Sequence, residues 1–147
     1  MKPVLFFKAL CLCTVITIVS FGIGCGPTIA LYDQYSYTQA TSVKVDALNV
    51  VAMGTQDYAS HQKDVTALTL EMQKIYEYDK HLPKDVLSTK QWEIVIDSSG
   101  HSMGGFLSRW QKEGKLGAAF VNDKKVQIGE DFDQIIQLEA AKIKSSK

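Results

Sequence analysis

The hydrophobic pattern divides the chain into one unbroken apolar run, Ala9 to Ile23, and a longer stretch in which apolar residues recur at intervals. From Thr38 to His81 there is no proline, and two interleaved seven-residue series run through the segment. One holds Tyr37, Lys44, Val51, Tyr58, Val65 and Met72; the other holds Ala40, Ala47, Gly54, His61, Leu68, Ile75 and Leu82. Offsets of three and four between the two lines place both on one face of an α-helix. The spacing predicts one long helix over 38–81, ended at Leu82-Pro83 because proline disfavours helical geometry in the residue before it and has no amide hydrogen to donate. Ser88-Thr89-Lys90-Gln91 has the Ser-x-x-Gln form of a capping box and predicts a short helix through Trp92, Val95 and Ile96, stopped by Ser98-Ser99-Gly100. Phe106, Leu107 and Trp110 predict another, ended by Gly114 and Gly117. A last helix over about 118–144 carries Val121, Ile128, Phe132, Ile135, Leu138 and Lys142 at helical spacing, before a Lys-Ser tail that reads as a fraying end.

These elements predict an all-α fold: a long helix, two short helices that turn the chain, and a long return helix, packed as an antiparallel hairpin or small bundle. Trp92, Phe106, Trp110 and Phe120 are expected to fill its closed end. At 1.5 Å per residue the first helix would reach roughly 65 Å, more than the return helix covers. Part of its apolar stripe is therefore expected to be exposed, to bend or break at Gly54, or to meet another molecule.

The apolar run has a different use. Lys2 and Lys8 flank it on the amino side and small residues, Gly24-Cys25-Gly26, follow it, which is the layout of a secretory signal peptide. Phe21-Gly22-Ile23-Gly24-Cys25 resembles the lipobox of bacterial lipoproteins, with Gly22 where that motif usually has Leu. The resemblance implies cleavage between Gly24 and Cys25 and acylation of the Cys25 sulfur, with palmitate-type chains. The alternative is an uncleaved anchor, since no charge occurs from Ala9 to Tyr32, a length that would span a bilayer of roughly 30 Å. Gly22, Gly24, Gly26 and Pro27 would weaken such a helix at its end. The expected organisation is a signal peptide over 1–24, a lipidated tether over 25–37 and a single helical domain over 38–147.

Composition then narrows the domain. Cys11 and Cys13 lie in the run, so cleavage leaves Cys25 as the only thiol, and neither a disulfide nor a cysteine metal site is expected. A domain of this length must be held by its own apolar core. Without Lys2 and Lys8 the balanced formal charge becomes about −2, with both signs interspersed. No basic stripe emerges, which argues against a nucleic-acid partner.

Gly100-His101-Ser102-Met103-Gly104 satisfies G-x-S-x-G and, with Gly105, resembles the nucleophile elbow of α/β-hydrolase lipases and esterases. Glu93 to Ile96 would then be the strand before the elbow and Phe106 to Trp110 the helix after it. That family places an acid and a His after the nucleophile. No His follows Ser102 here, the three being His61, His81 and His101, and the chain lacks the β-α alternation of a parallel sheet. A turn over 98–105, with Ser102 capping the helix that follows, is the reading adopted.

Asp57, His61 and Asp64 would share a helical face and could recruit a metal only with ligands from another helix; a partly buried His bonded to a neighbouring Asp accounts for them more simply, and no metal or cofactor is assigned. Tyr76, Tyr78, His81 and Asp79 form an aromatic, polar group at the predicted helix end, suited to an interface or to packing on Trp92 or Trp110. Gly54 in the stripe permits close approach of a second helix at a cost of about 1 kcal/mol relative to Ala. Val51, Gly54, Tyr58, His61, Tyr76 and Tyr78 thus mark a candidate interaction face. The expectation is a non-catalytic, lipid-anchored cell-envelope protein that acts through protein contacts, self-association included, or as a structural element. An esterase using Ser102 and a carrier of a small apolar ligand are the alternatives. Gly26 is not the Asp that retains many enterobacterial lipoproteins in the inner membrane, which implies the outer membrane, facing the periplasm, in a cell that has one.

Overall fold

The computed structural model describes residues 30–145. The expected signal peptide, with the expected cleavage position Gly24, the expected lipid site Cys25 and the last residues of the tail lie outside them. The described residues form five α-helices and no strand: α1 (Gln34–Ala52), α2 (Gln62–His81), α3 (Val86–Ile96), α4 (Met103–Glu113) and α5 (Ala118–Ser145). Two 3-10 turns, Met53–Thr55 and Tyr58–His61, join α1 to α2. The fold is the all-α small bundle that the periodicity implies. Its core is where each stripe faces the others: Ala40, Val43, Ala47, Val50 and Val51 from α1, Val65, Leu68, Met72 and Ile75 from α2, Trp92 and Val95 from α3, and Ile128, Phe132 and Ile135 from α5.

The main correction concerns the long helix. It is two helices, and α2 folds back along α1 instead of continuing it. Gln56 and Asp57 take extended backbone conformations (ψ 172° and 124°) between the 3-10 turns. The backbone groups this break exposes are bonded elsewhere: Leu116 N donates to Gly54 O at 2.9 Å, Tyr58 N to Gly114 O at 2.7 Å and Trp110 Nε1 to Gln56 O at 3.0 Å. Gly54 sits directly beneath Phe106, and a Cβ there would come within 2.7 Å of the ring. The seven-residue register runs across the break by coincidence, so periodicity alone carries one helix through it.

Packing closes a ring. α1 lies between α2 and α5, and α3 lies between the other faces of α2 and α5, with neighbours antiparallel. α4 crosses one end, where Phe106, Trp110, Tyr58 and Phe120 meet; Phe106 and Phe120 stack with centroids 6.3 Å apart. Trp92 is elsewhere, edge-on to Phe132, so the four aromatic residues do not share one closed end.

Two boundaries also move. α1 begins at Gln34, capped by Asp33, whose carboxylate accepts from Ser36 N at 2.9 Å, and Ala30 is already buried. The expected tether is correspondingly shorter, because Tyr35, Ser36 and Tyr37 belong to the first helix. At α3 the capping box does not form. Asp85 holds the N-cap position and Ser88 lies inside the helix, facing the core. Among the described residues no helix is long and apolar enough to cross a membrane.

Candidate functional site

The end of the bundle opposite α4 holds a cluster of buried polar side chains. Asp79 continues the core-facing line Val65, Leu68, Met72 and Ile75 into the last turn of α2. Asp85 and Ser88 come from the start of α3, Ser36 from the first turn of α1, and Glu139 and Lys142 from the last turns of α5, one helical turn apart. All six are 5% exposed or less. Ser36 Oγ donates to Asp79 Oδ1 at 2.5 Å and Trp92 Nε1 donates to Asp79 Oδ2 at 2.8 Å. Lys142 Nζ donates to Asp85 Oδ1 at 2.6 Å and to the two Glu139 oxygens at 2.7 and 2.8 Å, while Ser88 Oγ donates to Glu139 Oε1.

Three carboxylates thus face one ammonium. Burial pushes the Asp79 carboxyl up from 3.8 to about 6, an effect that the bonds from Ser36 and Trp92 oppose and the neighbouring charges of Glu139 and Asp85 reinforce. For Lys142, burial pulls the ammonium down, but its bonds to Asp85 and Glu139 and their charges outweigh this and raise it. Asp79, Asp85 and Glu139 each offer an oxygen within 4.8 Å of the others, close enough to share a cation, and Lys142 already serves two of the three as an internal one. Asp85 Oδ2 is buried without a hydrogen-bond partner. The arrangement can hold positive charge and can take up a proton on Asp79.

Sequence reasoning passed over most of this cluster. Ser36 falls in the expected tether, Ser88 in the expected cap and Lys142 on the expected apolar stripe of the last helix. Only the stripe placement is right, and a lysine in line with Ile128, Phe132 and Ile135 was the signal available.

The residues singled out from sequence are dispersed. Val51 and Gly54 are buried in the core and are withdrawn from any interaction face. Tyr58 packs edge-on against Trp110. His61 bonds Asp64 Oδ2 at 3.2 Å and Gln56 Oε1 at 2.9 Å beside the same indole, which is the simple Asp-bonded histidine expected. Tyr76 donates to Glu93 Oε1, and Tyr78 donates to Asp33 Oδ2 while its ring lies 4.6 Å from that of Tyr35. Tyr76 is partly buried against the core cluster that contains Trp92 and Trp110, and Asp79 bonds the Trp92 indole directly.

The glycine-rich turn has a structural explanation. Glu93 to Ile96 is helical, so no strand precedes Ser102. A Cβ on Gly104 would run into the Ile96 carbonyl, and one on Gly105 into that of Gly100. The glycines allow α3 and α4 to meet backbone to backbone. Ser102 stands at the N-cap of α4 but its hydroxyl makes no capping bond; it is 2% exposed and has no partner.

A second feature is a groove of 670 Å³ between α2 and the α3–α4 corner, whose walls include Val65, Thr69, Leu70, Met72, Ile96 and Leu107. No family model matches the chain, and neither a curated protein nor a solved structure matches it.

Proposed function

We propose that this protein is a lipid-anchored, non-catalytic helical domain of the cell envelope, held to a membrane through Cys25 and acting by contact with other proteins or as a structural element. The carrying observation is the order basic flank, apolar run, small residues, Cys25, followed only five residues later by Ala30, which is packed into the domain. A stretch that short connects; it has no core of its own to build. The non-catalytic part of the reading draws on Ser102, whose buried hydroxyl has no base within hydrogen-bond reach among the described residues. The outer membrane, facing the periplasm, is the proposed destination where the cell has one, on the strength of Gly26.

The deciding experiment is the intact mass of the mature protein from its native cell, combined with fractionation. A chain that starts at Cys25 and carries acyl groups, recovered with membranes, is the expected result. A chain retaining Met1 would overturn the reading. Cross-linking in the intact envelope would then identify what the domain touches.

The groove favours one second reading, a carrier of a small apolar ligand, because 670 Å³ is within the size range of small-molecule sites. Native mass spectrometry separates the two: an apolar molecule that copurifies at unit stoichiometry, and is lost when Leu107→Trp fills the groove, would support the carrier.

A further inference from the structure

We propose that the end of the bundle carrying the buried cluster rests on the membrane surface, with Val86 and Leu87 reaching into the headgroup layer and lysines around them facing anionic lipid. This rests on the lipid anchor proposed above and adds an orientation and a lipid preference to it.

The apolar part is concentrated at one place. Val86 and Leu87 are consecutive at the start of α3 and are 59% and 57% exposed. They border a 300 Å³ pocket whose walls include Ala30, Leu138 and Ala141, and Leu31, the next residue of the entering chain, is 63% exposed. Other exposed aliphatics, such as Val45 and Val126, are not part of this pocket. Single apolar residues on a surface need no explanation, whereas a group of them does.

The basic part adjoins it. Lys80, Lys84 and Lys90 line a second pocket that shares Lys84, Asp85 and Val86 with the first. Carboxylates are interspersed with them: Glu77 pairs with Lys80 at 3.5 Å, Asp85 pairs with Lys142, and Glu93, on the wall of the second pocket, accepts from Tyr76. Apolar side chains bordered by lysines suit the boundary between acyl chains and anionic headgroups.

The length of chain to the anchor selects this partner. Ala30 lines the first pocket, and Cys25 is five residues before it. Five residues reach at most about 18 Å when fully extended. A lipid on Cys25 therefore keeps this end of the bundle at the bilayer surface, whose headgroup layer is roughly 5–8 Å deep on each side. Contact with that surface becomes intramolecular, so two aliphatic side chains and a few lysines suffice to set an orientation. The α4 end has no such constraint: Val126 is sixteen residues from Lys142 along α5, about 24 Å.

The test uses the full lipidated protein. After processing, Cys25 is blocked and no other native thiol remains, so Leu87→Cys and, separately, Val126→Cys each take one fluorescent label; both positions are exposed, and circular dichroism verifies the fold. Each is reconstituted in vesicles of phosphatidylcholine with one-third phosphatidylglycerol, with and without a headgroup-level nitroxide lipid. Quenching at position 87 is expected to exceed that at 126 several-fold. It should drop roughly twofold or more in phosphatidylcholine alone and in the Lys84→Glu, Lys90→Glu background. Equal quenching at both positions overturns the orientation, and a difference indifferent to lipid charge and to the lysine changes overturns the role of the lysines. The N-terminal mass is read on the same samples. An unlipidated chain removes anchor and docking together, whereas a lipidated chain with equal quenching removes the docking alone.

Discussion

Lys142 and Asp79 are buried ionisable side chains, and each has a measurable consequence. Lys142 compensates Asp85 and Glu139 where all three side chains are 7% exposed or less. In Lys142→Met both carboxylates lose that partner, and a destabilisation of about 3–5 kcal/mol is expected in denaturant unfolding, since an uncompensated buried charge costs far more than an intact pair contributes. A change below about 1 kcal/mol would mean that water reaches the cluster. Asp79 acts through pH. Its carboxyl is raised from 3.8 to about 6 in the folded protein, so between those values the native state holds a proton that the unfolded chain releases. The stability this group contributes is complete below the unfolded value and is lost as pH rises through about 6, on the order of 3 kcal/mol in all. Urea titrations from pH 4 to 7 on the wild type and Asp79→Asn check it: the variant should lack this downward component, and an identical slope in both would refute it.

At the scale of elements, glycine decides where helices meet. Gly54 lies under the Phe106 ring and Gly104 against the backbone of α3. Ala at position 54 meets the edge of a side chain that can shift, so Gly54→Ala is expected to cost about 1–3 kcal/mol. Ala at 104 meets a carbonyl that is part of a helix and has nowhere to go; Gly104→Ala should exceed Gly54→Ala, and the reverse order in thermal unfolding would contradict the packing described. The same elements mark where sequence reading succeeded. The helices α3, α4 and α5 were legible because each carries its own stripe and a local stop signal, Gly114 with φ 75° among them. The break between α1 and α2 was legible only as one of several alternatives, at Gly54, because the backbone groups it exposes are bonded by Trp110, Gly114 and Leu116, which lie more than fifty residues further along the chain.

For the whole molecule, that break changes what the apolar stripe means. A single 65 Å rod would have exposed surface for a partner; two antiparallel helices cover each other and leave a closed ring with a polar end and an aromatic end. The two ends are well separated, since Val121, which touches the Gly54 site, and Lys142 are 21 residues apart on α5, about 31 Å. Lys142→Met and Gly54→Ala should therefore add within about 0.5 kcal/mol in the double variant. A larger coupling would show that the bundle transmits strain along its length. The entering chain reaches the polar end, so a lipid on Cys25 would place the charged cluster near the membrane and the groove away from it.

The sequence by itself determined the helical class, the stripes that become the core and the ends of the short helices. These are properties of local spacing and of residue chemistry, which a chain carries with it wherever it folds. Tertiary structure alone decided that the first stripe doubles back, that Ser88 and Ser36 face inward, and that Asp79, Asp85, Glu139 and Lys142 meet. Residues 36, 79, 85, 88, 139 and 142 come from four helices, and only their packing brings opposite charges close enough, and water far enough away, for the cluster to exist.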